Sequence, residues 1–383
     1  MEPDRADLRA AVRSDGRSTH AAASRRSCSL RRRKGGALNA AGLTVLRPGM
    51  LASVQDLGRH GHRQLGICPG GALDTLALVL ANRLVGNPDG AAGLELTMGA
   101  CELRFDAPTR IAWAGDDFDA RLDGLPIWPG WSVPVRAGQV LKFGRANRSN
   151  EKTGIRTWLA VAGGIDVPMI LGSRSTDLKA GFGGHEGRPL KAGDTLACGQ
   201  FALTAAQLER RPFGARMPQW RIDPAVGVIE LRIIPGPEFE LFTVASREQL
   251  WRDAWRITPQ SNRMGSRLEG PELKRKRNGD MLSSGVIPGT IQVPPSGQPI
   301  VLLGDAQTTG GYPRVGVVIR ADLWKLAQAP LDGRLRFRVV DSAEALAAWD
   351  EQKRYLAHLA QGLVSMGWLA PAQNSTQGET HAD

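Results

Sequence analysis

The chain has 383 residues, 42% of them hydrophobic, with 46 glycines, few aromatics apart from ten tryptophans, and a formal net charge of +11. That length allows two domains with separate cores, and the glycine-rich, helix-poor pattern excludes a helical bundle or a doubly wound sheet. Ten Lys/Arg and four Asp/Glu lie in residues 1–40, so +6 of the charge sits there and only +5 is spread over the other 343 residues. The basic balance is therefore not a nucleic-acid footprint, and no nucleic-acid partner is expected.

Residues 1–42 read as a disordered, basic and dispensable N-terminal extension. Ala, Ser, Arg and Gly dominate Ser14–Ala41, and such a segment cannot bury enough surface to offset its ordering entropy. It lacks the continuous apolar segment of a secretory signal. No run elsewhere has the apolar length of a membrane helix, so a cytoplasmic chain with no membrane partner is expected.

A first β-rich lobe is expected over residues 43–200. Leu43-Thr-Val-Leu alternates like a strand, and Arg47-Pro-Gly turns it into Ser53-Val-Gln-Asp-Leu-Gly-Arg. Asp74 is placed to cap a helix whose apolar positions Leu76, Ala77, Leu80, Ala81 and Leu84 recur at helical spacing until Gly86-Asn-Pro stops it. Short strands follow at Glu102–Phe105, Arg110–Ala114, Val140–Phe143, Arg156–Val161 and Asp194–Ala197, several fed by a glycine turn, which is the grammar of an antiparallel barrel.

Residues 201–227, with Pro212, Pro218 and Pro224, read as a connection. A second β-rich lobe spans 228–340, opening on Val228-Ile-Glu-Leu-Arg-Ile-Ile and carrying the charged loop Glu272–Gly279. Residues 341–383 read as a C-terminal helix from Ser342 to about Leu363, with Ala345, Trp349, Leu356 and Leu359 along one side, and a frayed tail after Pro371. The expected class is mainly β, with two β-rich lobes, a few short helices and a C-terminal helix.

Cys28, Cys68, Cys101 and Cys198 have no C-x-x-C pairing, so reduced, packed thiols are expected. His60-Gly-His62 lacks a carboxylate or thiolate cluster, and no metal is expected there. Four polar clusters sit in turns. They are Gln55-Asp-Leu-Gly-Arg59 with Gly70-Gly-Ala-Leu-Asp74, Gly172-Ser-Arg-Ser-Thr-Asp177 with Gly181-Phe-Gly-Gly184, Pro259-Gln-Ser-Asn-Arg-Met-Gly265, and Gln292 to Tyr312. Each joins a carboxylate or amide to glycines, and most carry an Arg. Such a set can hold a carboxylate and polarise an amide oxygen. Equally, any one cluster can be a capped turn locked by its own Arg–Asp contacts. Four in one chain favour a site, placed where two lobes meet.

Some signatures are missing from the sequence. There is no phosphate loop, no dinucleotide fingerprint and no Gly-x-Ser-x-Gly, and no lysine stands in a Met-Lys-Met biotin-acceptor motif. No covalent biotin is therefore expected on this chain.

In order and spacing these clusters resemble the carboxyltransferase-domain family, which includes the C subunit of 5-oxoprolinase, allophanate hydrolase subunit 2-like proteins and the carboxyltransferase portion of urea amidolyase. The matching runs are Ser53-Val-Gln-Asp-Leu-Gly-Arg, Gly71-Ala-Leu-Asp, Ala81-Asn-Arg-Leu-Val-Gly-Asn, Gly172-Ser-Arg-Ser-Thr-Asp, Gly181-Phe-Gly-Gly, Pro259-Gln-Ser-Asn-Arg-Met-Gly, Gly289-Thr-Ile-Gln-Val-Pro-Pro and Asp305-Ala-Gln-Thr-Thr-Gly-Gly-Tyr-Pro. They span roughly residues 43 to 340. The resemblance implies a second lobe of cyclophilin-like barrel type. It departs at Asn262, where Asp is usual, at Ser266, where an aromatic often stands, and at Ser284, where Glu is common. Two lost acidic positions put proton-transfer roles there in doubt.

The resemblance implies a subunit of an ATP-dependent 5-oxoprolinase, which opens the lactam 5-oxo-L-proline to L-glutamate together with partner subunits A and B. ATP would serve the assembled enzyme, with its site open to a partner, and a homo-oligomer stays open. On this reading Asp305, Asp177 and Asp56 would orient water or carry protons. Arg59 or Arg174 would hold the substrate carboxylate, with Gln307, Thr308 and Thr309 as oxygen donors and Gln292, Gln260, Arg263 and Tyr312 in the binding set. Two alternatives stay open: a biotin-dependent carboxyltransferase component, and a regulatory binding module without catalysis.

Overall fold

The computed structural model describes residues 42–145, 154–218, 227–277, 279 and 281–370. Most of the extension expected over residues 1–42, Cys28 with it, and the tail from Pro371 lie outside the described residues.

The first half folds into two six-stranded sheets. One runs Thr195–Ala197, Gly42–Pro48, Cys101–Phe105, Val140–Lys142, Arg121–Leu122, Leu125–Pro126. The other runs Phe213–Gly214, Trp131–Val135, Thr109–Gly115, Arg156–Val161, Gly93–Thr97, Leu51–Gln55. Leu43, Val45, Leu103 and Phe105 of the first sheet and Leu94, Leu96, Ile111 and Leu159 of the second share one core. The stretch expected as a connection supplies the short helix Ala205–Glu209 and the edge strand Phe213–Gly214.

Strand Arg156–Val161 shows why the second sheet reads as a continuous apolar run. All six residues are buried. Leu159 and Val161 face the core between the sheets, while Trp158 and Ala160 face a second core under helix α1 (Thr75–Leu84). A strand covered on both faces loses its polar alternation. Helix α1 begins where expected, with the Asp74 carboxylate accepting from the Ala77 N–H at 2.9 Å, and it ends before Gly86.

The second half closes into a seven-stranded barrel, in the order Val228–Pro235, Arg314–Val318, Thr290–Gln292, Ile300–Leu302, Gly265–Glu269, Trp255–Ile257, Arg334–Val339. Closure comes from a parallel pairing of its first and last strands, Val228↔Arg334 through Ile233↔Val339. Alternation is clean here: Leu231, Ile233, Leu335 and Phe337 point inward and their neighbours outward. A separate two-stranded ribbon, Ser284–Gly285 with Thr309–Gly310, stands beside the barrel.

The C-terminal helix, Ser342–Ser365, ties the halves together. Its fully buried positions are Ala348, Gln352 and Leu363, so the expected stripe is rotated slightly. Ala345 and Leu359 flank it, and Trp349 turns aside to take the Arg320 guanidinium at 4.1 Å from its ring centroid. Gln352 donates to Ala321 O on the barrel side, while Leu363 and Trp368 pack with α1. No helix among the described residues is long and apolar enough to cross a membrane.

One carboxylate at the end of strand Thr109–Gly115 carries a stability prediction. Asp116 is half-buried, its Oδ2 has no hydrogen-bond partner among the described residues, and burial pushes its carboxyl up to about 6 against the opposing Phe118 N–H. Because this lies above the unfolded value of about 3.9, the folded chain holds the extra proton between roughly pH 4 and pH 6. Stability contributed by this group is present at low pH and is lost as pH rises through that window. Asp116→Asn should therefore raise Tm at about pH 7.5 and leave it nearly unchanged at about pH 4. Equal shifts at both values would refute the assignment.

Candidate active site

The barrel places two candidate residues side by side through strand register. Strand Gly265–Glu269 pairs antiparallel with Ile300–Leu302, with Gly265 opposite Leu302. The segment leading into the first strand and the segment leaving the second therefore lie at the same end of the barrel. Arg263 and Asp305 sit there, with the Asp305 N–H donating to Arg263 O at 3.1 Å. The Arg263 guanidinium binds the Asp305 carboxylate through Nε at 2.9 Å and Nη2 at 3.0 Å. This is the planar two-point geometry that favours arginine over lysine.

Arg263 also reaches the first half. Its Nη2 donates to Gly71 O at 2.6 Å and its Nη1 to Glu95 Oε1. Glu95 lies opposite Trp158 on the neighbouring strand, and its Oε2 accepts from Trp158 Nε1 at 2.9 Å and from the Leu73 N–H at 3.2 Å. Arg156 adds a second cation, its Nε 3.8 Å from Glu95 and its Nη1 donating to Ala327 O at 2.6 Å. All of these side chains are buried.

Asp305 is pulled in two directions. Burial pushes its carboxyl upward, assisted by the neighbouring charges of Glu95 and Asp177, while Arg263 opposes. The net displacement is upward, as burial alone would give. Arg263 moves upward too, because Glu95 and Asp305 outweigh the burial that disfavours its charge.

Arg59 faces this pair across Gly70. A Cβ placed on Gly70 would lie 3.5 Å from Arg59 Nη1 and 3.8 Å from Asp305 Oδ1. Arg59 is only 1% exposed. Its Nη2 donates to Ser175 O at 2.5 Å and its guanidinium lies 4.6 Å from the Phe182 ring centroid. Among the described residues its Nε and Nη1 have no hydrogen-bond partner. Gly183 makes this approach possible: at φ +72° its Cβ would sit 2.2 Å from Ser175 O and 2.7 Å from Arg59 Nη2.

Asp177 closes the other side. Its Oδ1 accepts from the Lys179 and Ala180 N–H groups at 3.1 and 2.9 Å, and its Oδ2 accepts from the Cys68 thiol at 3.3 Å. Burial, the bond to Asp177 and the charges of Asp177 and Asp305 push the Cys68 thiol up to about 12, although Arg59 opposes. Cys68 is therefore a neutral donor at physiological pH and not a nucleophile. A cleft of about 470 Å³ lies behind Phe182 and Gly183, lined also by Val167, Ile170 and His185.

The other expected residues divide into two groups. Asp56 and Arg174 are committed to the loop that carries Ser173 and Ser175. The Asp56 carboxylate accepts from Ser173 Oγ, Ser175 Oγ, the Arg174 N–H and the Gly58 N–H, all between 2.5 and 2.8 Å. Arg174 spends its guanidinium on Val167 O and Asp166. Gln292 is buried and links Gln307 Nε2, at 3.4 Å, to Tyr312 O. Thr308 is buried beside them, whereas Thr309 on the ribbon and Gln307 and Tyr312 on either side of it are exposed. Gln260 is exposed in its turn and is not brought to the Arg59–Asp305 pair. Among the described residues no group of three or more His, Cys, Asp or Glu is arranged to hold a metal.

A family model described as carboxyltransferase domain, subdomain A and B, matches residues 65–339. The chain belongs to the carboxyltransferase-domain family. It is 46% identical over 318 residues to the 5-oxoprolinase C subunit of Escherichia coli, covering 83% of this chain and 97% of that one. It is 39% identical over 305 residues to the 5-oxoprolinase C subunit of Haemophilus influenzae, covering 80% and 93%. Among solved structures it resembles the K. lactis urea amidolyase, with a TM-score of 0.74 and 30% identity, over 82% of this chain and 19% of that chain. The two bacterial relatives are each named as a subunit. The fold of this carboxyltransferase-domain chain agrees with the sequence expectation of two β-rich halves, one a closed barrel.

Glu95, Arg156 and Cys68 escape a reading of the family motifs. Glu95 sits in Gly93-Leu-Glu-Leu-Thr, where one charge among apolar residues reads as the solvent side of an alternating strand. The signal available was Trp158: a buried indole N–H needs an acceptor, and its cross-strand neighbour is Glu95.

Proposed function

We propose that this chain is the C subunit of an ATP-dependent 5-oxoprolinase that hydrolyses 5-oxo-L-proline to L-glutamate with partner subunits A and B. The observation that carries the reading is the buried Arg59 guanidinium, with Nε and Nη1 unpartnered among the described residues, set against Asp305. A buried cation with two open donors is matched by a small carboxylate, and 5-oxoproline brings one beside its lactam. The near full-length similarity to two proteins named as the C subunit of 5-oxoprolinase supports the same assignment.

Within this reading Arg59 holds the substrate carboxylate and Asp305 orients water or moves a proton, with Asp177 behind it. Gln292 from its barrel strand, Thr309 from the ribbon and Gln307 and Thr308 just before it supply oxygen-directed donors, and Tyr312 follows the ribbon. Asp56 and Arg174 hold the Ser173–Ser175 backbone that Arg59 leans on. Arg263 holds Asp305. Gln260 lies on the rim. The lobes correspond to residues 43–200 and 228–340. With no phosphate-loop motif in the sequence, the ATP site is assigned to a partner subunit, and the assembly to the cytoplasm.

A carboxyltransferase reading draws on the likeness to urea amidolyase. There Arg59 would take a carboxylate carried by biotin on another chain. One assay separates the two. Glutamate release from 5-oxoproline and ATP is expected only when this chain is mixed with both partner subunits, and Asp305→Asn should lower it by at least about 100-fold. No release from the mixture, with carboxybiotin-dependent transfer to urea instead, would overturn the lactam assignment.

A further inference from the structure

Asp305 does not meet Arg263 alone. The guanidinium is shared between two buried carboxylates, Asp305 at the end of a barrel strand and Glu95 in the middle of a sheet strand from the other half. Every nitrogen of Arg263 is engaged, the fourth contact being Gly71 O. Glu95 is pinned in turn by Trp158 Nε1 and the Leu73 N–H, so it has little freedom to follow a displaced arginine. Leu73 and Gly71 belong to the segment that carries Gly70, against which Arg59 and Asp305 both lie. Geometry at the candidate site therefore passes through one bridge, from Glu95 through Arg263 to Asp305.

We infer that Glu95 is a positioning residue for Asp305, fixing its orientation and its charge state through the shared Arg263. This rests on the proposed function only in taking Asp305 as a reacting group; the coupling itself belongs to the free chain. The groups around Asp305 are Arg263 and Glu95, Asp177 and Cys68 on the side of the 177–182 turn, Arg59 across Gly70, and Arg156 behind Glu95. Glu95 contributes negative charge close to Asp305 and takes part of the Arg263 charge for itself. Glu95→Gln removes that charge and sets an amide against a guanidinium N–H. Arg263 then serves Asp305 alone, and the Asp305 carboxyl should ionise at lower pH.

The test uses the free chain first. Carboxyl-carbon NMR of chain labelled at Asp, with Asp305 assigned by Asp305→Asn, should show the Asp305 titration falling by roughly one pH unit or more in Glu95→Gln. Glu95→Asp, which keeps the charge, should restore it towards the wild-type value. Near-UV circular dichroism establishes that both variants are folded, and should Glu95→Gln fail to fold, Glu95→Asp against wild type carries the comparison through a smaller shift. An unmoved Asp305 titration in folded Glu95→Gln overturns the inference, whatever the activity. In the assembled enzyme Glu95→Gln should lower kcat for 5-oxoproline at least about tenfold with KM little changed, and move the acid limb of kcat downward. A raised KM with kcat and the acid limb intact would also overturn it. An inactive wild-type assembly with the Asp305 titration moved as expected would instead sink the 5-oxoprolinase reading and leave the coupling in place.

Discussion

Arg263→Ala should destabilise the chain by about 3–5 kcal/mol, the usual loss when one member of a buried ion pair is removed. Glu95 and Asp305 would be left 1% and 5% exposed, with no cation bridging them. Arg156 cannot replace it, because its Nε stands 3.8 Å from Glu95 and its Nη1 is committed to Ala327 O. The loss would also separate the halves locally, since Arg263 joins the barrel to Gly71 and Glu95. Urea unfolding of Arg263→Ala beside Arg314→Ala checks this. Arg314 likewise grips Glu238 through two nitrogens, but that pair is reached by solvent, and its loss should amount to about 1 kcal/mol. Similar costs for the two variants would refute the bridge as a structural tie. The expected loss for Arg263→Ala includes the penalty on Asp305, stripped of its ion pair, and on Glu95, left with Arg156 at 3.8 Å, so it measures truncation and not the net worth of the pair.

The same bridge shows what could be read from the sequence and what could not. Helix α1 was legible because its signals are local: Asp74 caps, Gly86 stops, and the apolar spacing lies between them. The strand Arg156–Val161 was legible as an apolar run, but not which of its faces met which core, because both are covered. Arg59, Asp177, Arg263 and Asp305 were all named from polar turns far apart in the chain. Their convergence depends on strand register, with Gly265 opposite Leu302, and on the way the Gly70–Leu73 segment meets both halves. Asp56 and Arg174 looked the same as these from sequence. Only the alternating hydroxyls of Ser173 and Ser175, both turned onto Asp56, mark that pair as holding its own loop. The ribbon formed by Ser284–Gly285 and Thr309–Gly310 has two residues per strand, too few for periodicity to register.

Arg59→Met should separate stability from activity. Among the described residues the Arg59 side chain makes one hydrogen bond, to Ser175 O, and one contact with the Phe182 ring, while Nε and Nη1 are buried without partners. Each unsatisfied buried group costs about 1–3 kcal/mol, and the ring contact returns about 0.5–2 kcal/mol. An unbranched methionine fills much of the same space and has no donors to satisfy. The folding free energy should therefore stay within about 1 kcal/mol of wild type, far from the loss expected for Arg263→Ala. Glutamate release by the assembled enzyme should nevertheless fall at least about 100-fold, because a fixed donor pair aimed at an anion cannot be replaced by a thioether. Adding guanidinium at millimolar concentration to a smaller variant, Arg59→Ala, should recover part of the lost rate if the vacated space admits it. A chain that loses stability on Arg59→Met but keeps its rate would make Arg59 a structural cation, with its two open nitrogens left to water. A chain that keeps its stability and loses its rate places the substrate carboxylate on those nitrogens, beside Asp305, at the seam between the sheets and the barrel.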